Sequence, residues 1–189
     1  MPTINDPNGT AASVDGEGRL RVRSVQTSLE HHVNKDEGRA YTWQFSDDPD
    51  AGDDCIFYLK NDDDMDLVLE GIDLFITTDT DVYLCVGGSG TTATGTAIVG
   101  TNVNAGSGNV ADVTCIHDGD VEAGGSFTGA VECNRFVYQS GTLVDTHHIN
   151  FVMDIVIPKN QVFTVWVGTT GVVVTGTVYG YFHGLGHTH

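Results

Sequence analysis

The chain has 189 residues, of which 40 % are hydrophobic and 8 % aromatic, and this composition excludes a disordered protein. Its formal net charge of −18 disfavours direct contact with nucleic acid or with an anionic membrane surface. The 24 glycines, together with frequent Thr and Val, favour strands joined by tight turns over helices.

We predict that residues 1–39 form an N-terminal arm and a connector that lie outside the folded body. The arm contains a strictly alternating strand over residues 19–25, and residues 27–39 are a polar connector. The strand presents arginines on one face and apolar side chains on the other: Arg19, Arg21 and Arg23 against Leu20 and Val22. Because guanidinium groups are costly to bury without paired acids, we expect this strand to contact a neighbouring subunit.

We predict that residues 40–183 form a β-sandwich body and that residues 184–189 form a short C-terminal tail. Alternating or continuous apolar runs separated by turn residues indicate about ten strands. These strands cover residues 41–45, 55–60, 66–77, 81–86, 96–103, 110–116, 131–138, 149–157, 161–167 and 172–182. No stretch has a capped helical period, so the fold class is all-β, a two-sheet sandwich of jelly-roll type. The clearest alternation, in the last two strands, predicts central strands with Trp166 in the core.

Two runs of aspartates carry much of the negative charge, over residues 47–54 and 62–66. The second run begins with the spacing of a calcium loop, but Leu67 stands where that loop requires glycine. We therefore predict an exposed loop for the first run and a hairpin turn with solvated aspartates for the second. Either surface is a candidate partner for the arginines of another copy.

The cysteines and histidines do not predict a metal site. The four cysteines lack a C-x-x-C pair, and we expect free thiols, with Cys55, Cys85 and Cys133 buried in strands. His187 and His189 form a weak H-x-H candidate, for which a frayed tail is the simpler interpretation. The N-terminus lacks a secretory signal pattern, so we expect folding in a reducing cytoplasm.

The sequence contains no recognised catalytic signature, and we expect neither an enzyme nor a cofactor. It has no G-x-S-x-G, no cysteine paired with a histidine in a known setting and no phosphate-binding glycine loop. A hydrolase with an unfamiliar site remains the least favoured of three classes.

Four segments together resemble small virion proteins encoded near the head genes of marine tailed phages. They are residues 14–22 (VDGEGRLRV), 30–34 (EHHVN), 102–109 (NVNAGSGN) and 157–161 (IPKNQ). The resemblance implies a protein on the capsid surface of the virion, made in the host cytoplasm, that cements adjoining capsomers. It also implies the major capsid protein as partner and a homo-oligomer, with a trimer favoured.

The alternative is a receptor- or glycan-binding module of a head fibre or tail fibre. Sandwiches of this size host such sites, and exposed aromatic rings can stack on sugars. The candidates are Trp43, Trp166, Tyr138, Tyr179 and Tyr181, although their strand contexts favour the core.

Overall fold

The computed structural model describes residues 13–14, 20–21, 29–49, 54–88, 95–117, 129–138 and 147–184. Two very short strands come first, β1 (Ser13–Val14) and β2 (Leu20–Arg21), followed by helix α1 (Leu29–His32). The body contains β3 (Ala40–Asp47), β4 (Asp54–Asn61), β5 (Asp66–Ile76), β6 (Thr80–Val86), β7 (Thr96–Ala97), β8 (Thr101–Asn102), β9 (Val113–His117), β10 (Val131–Tyr138), β11 (His147–Ile157), β12 (Val162–Val167) and β13 (Val174–His183). The predicted all-β class is confirmed.

The body is a two-sheet sandwich with the strand order of a jelly roll. One sheet has the order β11-β5-β13-β3-β8, and the other has the order β10-β6-β12-β4-β9-β7. The first four long strands pair antiparallel with the last four in reverse order: β3 with β13, β4 with β12, β5 with β11 and β6 with β10. Successive pairs alternate between the two sheets, as expected for a long antiparallel ribbon rolled into a sandwich.

The main core lies between the sheets and is built largely by alternate residues of the long strands. Phe163, Val165 and Val167 of β12 are fully buried there, as are Val174 and Val178 of β13. Gly176 lies between them in β13, and an added Cβ would be 2.4 Å from Cζ of Phe45. The absent side chain therefore leaves the space that the Phe45 ring fills.

Trp166 does not lie in the main core, so its predicted position was wrong. It packs against a second cluster formed by Cys55, Tyr58 and Val162, and it is only partly buried. Its indole Nε1 donates to Oγ1 of Thr164, 2.8 Å away. Both faces of β12 are largely apolar, so the apolar pattern predicted the strand but could not show which face packs in the main core.

The turn after β4 joins the two sheets, because β4 and β5 belong to different sheets. The predicted hairpin at residues 62–65 is therefore wrong, and the segment is an arch. Asn61, which is fully buried, organises it by donating from Nδ2 to the carbonyls of Met65 and Ile157 at 2.7 and 2.9 Å. Its Oδ1 accepts from the backbone N–H of Asp63, so both ends of the amide are satisfied.

The connector before the body is not simply extended. Helix α1 continues into a π-helical turn over Val33–Glu37, which ends at Gly38. A helix this short carries too little apolar periodicity to be recognised in the sequence. No helix among the described residues is long and apolar enough to cross a lipid bilayer.

Candidate functional site: the root of the N-terminal segment

The chain enters the body through a helical turn that ends in a left-handed glycine. Gly38 has a φ of 63°, a conformation that favours glycine, and its N–H donates to the Val33 carbonyl. A Cβ at Gly38 would be 2.4 Å from Oγ of Ser107, so the glycine also allows the loop of residues 102–109 to approach. Both requirements explain a glycine at this position.

Four polar side chains of that loop bind the backbone carbonyls of the helical turn. Asn102 Nδ2 and Ser107 Oγ donate to the Gly38 carbonyl at 2.7 and 3.1 Å. Asn109 Nδ2 donates to the Glu37 carbonyl at 2.9 Å, and Asn104 Nδ2 donates to the Asn34 carbonyl at 2.8 Å. We call these four side chains and their three carbonyls the asparagine clamp. It satisfies carbonyls at the end of a helix, which have no partners within the helix itself.

The same side chains also fold the loop on which they lie. Asn102 Oδ1 accepts from the backbone N–H of Asn104 at 2.8 Å, and Asn104 Oδ1 accepts from that of Gly106 at 3.1 Å. Ser107 Oγ accepts from the backbone N–H of Asn109 at 3.1 Å. Short polar side chains commonly bond the backbone two residues onward. Each of these three therefore uses one set of bonds to fold the loop and another to hold the helical turn.

An apolar contact completes the attachment. Val33 is fully buried in a small cluster with Ala40, Val68 and Tyr181. Val68 and Tyr181 are opposite each other in β5 and β13. Burying one valine contributes about 1.5–3 kcal/mol. The root of the N-terminal segment is thus fixed to the five-stranded sheet by one apolar anchor and by the asparagine clamp.

The predicted arm residues lie mostly beyond the described part of the chain. Leu20 and Arg21 form β2, which pairs with β1, and neither strand joins a large sheet in the described pairings. Arg19, Val22 and Arg23 lie outside the described residues, as do His187 and His189.

The two acidic runs differ from their predicted surroundings. Asp47 and Asp54, at the ends of the first run, are buried at the end of β3 and the start of β4 rather than solvated. In the second run, Asp62 accepts from Lys60 Nζ at 2.5 Å and from Thr114 Oγ1 at 2.6 Å. Burial acts to raise the pKa of Asp62, but the hydrogen bonds from Lys60 and Thr114 outweigh it and lower that pKa. Asp64 pairs with Lys159, which lowers its pKa. Arginines from another copy would therefore compete with lysines already in place.

None of the four cysteines forms a disulfide, and three of the four are buried. Cys133 is exposed, which corrects its predicted burial, whereas Cys115 lies in the main core. Burial raises the pKa of Cys85 to about 11 and that of Cys115 further. No group of three or more potential metal ligands occurs within the described ranges.

The aromatic candidates for a sugar site separate into buried and exposed residues. Trp43 is fully buried and Tyr181 nearly so, whereas Tyr179 is 36 % exposed. Phe75, which the sequence did not single out, is 49 % exposed. The side chain of Tyr138 is not among those that the structure describes. The alternation within β5, where Leu74 and Ile76 are buried, is the sequence signal that could have identified Phe75 as an outward residue.

Comparison of the chain with protein-family models, curated proteins and solved structures found no match.

Proposed function

We propose that this protein is a structural component of a tailed-phage virion, a cement or decoration protein on the capsid surface. Its partner is the major capsid protein, which it grips through both the β-body and the N-terminal arm. Two of the segments that carry the resemblance to virion proteins, residues 30–34 and 102–109, contact each other in the asparagine clamp. That contact is the observation on which the proposal rests.

The asparagine clamp suits an arm that holds a neighbouring subunit. An arm that holds a neighbouring subunit transmits force to the body through its root, so a loose root would reduce the benefit of a second contact. Fixing the root limits the volume that the arm explores and raises its effective concentration at the neighbour. The fully buried Val33 and the carbonyl bonds of the clamp supply that restriction.

The edge strands of the sandwich support self-association. In the described pairings, the short strands β7 and β8 each form one edge of their sheet, and β10 and β11 form the opposite edges. Exposed valines lie on both: Val131 and Val137 on β10, and Val152 and Val156 on β11, with Val152 79 % exposed. Exposed edge strands with apolar side chains favour pairing with another chain. Neither edge is strongly acidic: β11 carries one acidic residue, Asp154, and in β10 Glu132 pairs with Arg135, so two copies of this acidic chain repel each other little along these strands.

The test removes the arm and leaves the root intact. A chain lacking residues 1–26 retains Val33 and the asparagine clamp, so its thermal midpoint should equal that of the full chain. Its binding to isolated capsids that lack this protein should fall about tenfold or more, because one of two linked contacts is lost. A variant with Arg19, Arg21 and Arg23 changed to serine should show a similar loss and a weaker dependence on salt.

A separate variant tests the body. Val152→Asp places a charge on the exposed edge and should lower the mass of the oligomer measured by sedimentation. Val99→Asp, at a 75 % exposed valine away from that edge, serves as the matched control.

Full capsid binding by the truncated chain, or an unfolded truncated chain, would contradict the proposed role of the arm.

A further inference from the structure

The outer face of the five-stranded sheet contains a shallow groove of about 310 Å³. Its walls and floor come from three adjacent strands, β3, β5 and β13: Gln44, Asp73, Phe75, Thr175, Gly176 and Thr177. The register places Asp73, Thr177 and Gln44 side by side in one row. Phe75 and Thr175 occupy the next outward row. The volume is at the small end of the range for ligand sites, about 300–1,000 Å³.

The carboxylate in the groove is held in one orientation. Asn150 Nδ2 donates to Oδ1 of Asp73, and Tyr179 Oη donates to Oδ2 at 2.8 Å. The hydrogen bond to Asp73 is the main reason that the pKa of Tyr179 is raised. Both donors lie on neighbouring strands, and neither lines the groove. A ligand would therefore meet a carboxylate that is already positioned.

The chemistry of the lining selects among ligands. Phe75 exposes half of its surface beside hydroxyl, amide and carboxylate groups, and none of the described residues that line the groove is cationic. The electron-rich face of an aromatic ring attracts the C–H face of a pyranose, and carboxylate and amide groups bond its hydroxyls. An anionic ligand would be repelled by Asp73 and by the charge of −18. An apolar protein surface would leave Asp73 and Gln44 poorly solvated.

We propose that this groove binds a neutral sugar unit of a glycan, with Phe75 stacking on the ring and Asp73 and Gln44 bonding its hydroxyls. Tyr179 acts as a positioning residue that orients Asp73. The inference goes beyond the cement role and does not depend on it, because it rests on the groove alone.

The experiment uses the full chain on an array of neutral and anionic glycans, followed by calorimetric titration with the neutral sugars that bind. Phe75→Ala and Asp73→Asn should each lower affinity by about tenfold or more. Tyr179→Phe keeps the ring and removes the hydroxyl, so it should lower affinity a few fold. Val99→Ala, at an exposed valine outside the groove, should leave affinity unchanged.

A measurement on the wild-type chain tests the proposal without relying on variants that fail to fold. Titration with the bound sugar, followed by amide chemical shifts, should perturb residues 44, 73–75 and 175–177 and leave the asparagine clamp unaffected. Failure of every neutral glycan to bind at millimolar concentration would overturn the proposal. So would selection of anionic glycans, or affinity unchanged in both Phe75→Ala and Asp73→Asn. Loss of self-association in Phe75→Ala without any sugar binding would reassign the groove to a protein interface.

Discussion

Replacing Asn102 by alanine should loosen the root of the N-terminal segment. The side chain donates to the carbonyls of Gly38 and Asn109 and accepts from the backbone N–H of Asn104. Each such bond contributes about 0.5–1.5 kcal/mol net. The Gly38 carbonyl keeps Ser107 as a donor, so the expected loss is in the lower part of the summed range, about 2 kcal/mol.

Hydrogen exchange measures this loss where it occurs. The amides of Gly38 and Arg39 donate to the Val33 carbonyl and report on the helical turn. If the root opens as a local unit, a loss of about 2 kcal/mol accelerates their exchange by about 30-fold. Amides of β12, in the middle of the six-stranded sheet, should exchange at an unchanged rate.

A matched asparagine provides the control. Asn150→Ala removes one side-chain bond on an exposed strand face and should leave exchange at Gly38 and Arg39 unaltered. Unchanged exchange in Asn102→Ala would refute the reasoning, since the asparagine clamp would then contribute nothing to the attachment. Equally accelerated amide exchange throughout β12 would also refute the reasoning, because it would show that the root and the sandwich unfold together.

Three further outcomes follow from the core, the thiols and the acidic turn. Phe163→Ala should lower the free energy of unfolding by about 3–5 kcal/mol and Trp166→Ala by clearly less, measured by denaturant titration; equal losses would place Trp166 in the main core. In the folded protein at pH 8, a thiol reagent should label the exposed Cys133 first, and all four thiols should react after denaturation without reductant; rapid labelling of Cys115 would contradict its burial and its raised pKa. Because the pKa of Asp62 is lowered on folding, its stabilising contribution is present above the unfolded pKa of about 3.9 and is lost as the pH falls through the lower, folded value. Asp62→Asn should therefore weaken the decline in the free energy of unfolding below about pH 4. An unchanged decline in this variant would contradict the contacts of Asp62 with Lys60 and Thr114.

The sandwich could be predicted from local pattern because strand formation and burial leave a two-residue period. The predicted strands at residues 55–60 and 161–167 differ from β4 and β12 by a residue at their ends. The pattern could not choose the core side of β12, because Val162 and Trp166 enter a second apolar cluster on the opposite face. Nor could it distinguish a hairpin from an arch at residues 62–65, since that depends on which sheet each strand joins.

The candidate sites depended on contacts that are distant in sequence. Asn104 binds the carbonyl of Asn34 across 70 positions, and Asn109 binds that of Glu37 across 72. The composition of residues 102–109 predicts a turn, but only the fold supplies the helical turn that those side chains hold. The sugar groove likewise requires the register that places β5, β13 and β3 side by side.

The central proposal is that this chain is a repeated structural component of a capsid. The most direct test is the molar ratio of the chain to the major capsid protein in purified particles of a phage whose genome carries its gene, determined by calibrated gel densitometry. A cement protein predicts a ratio set by the capsid lattice, with a copy number in the hundreds or a fixed fraction of the capsid subunits. A handful of copies per particle would instead assign the chain to a fibre or tail, and its absence from particles would contradict the account.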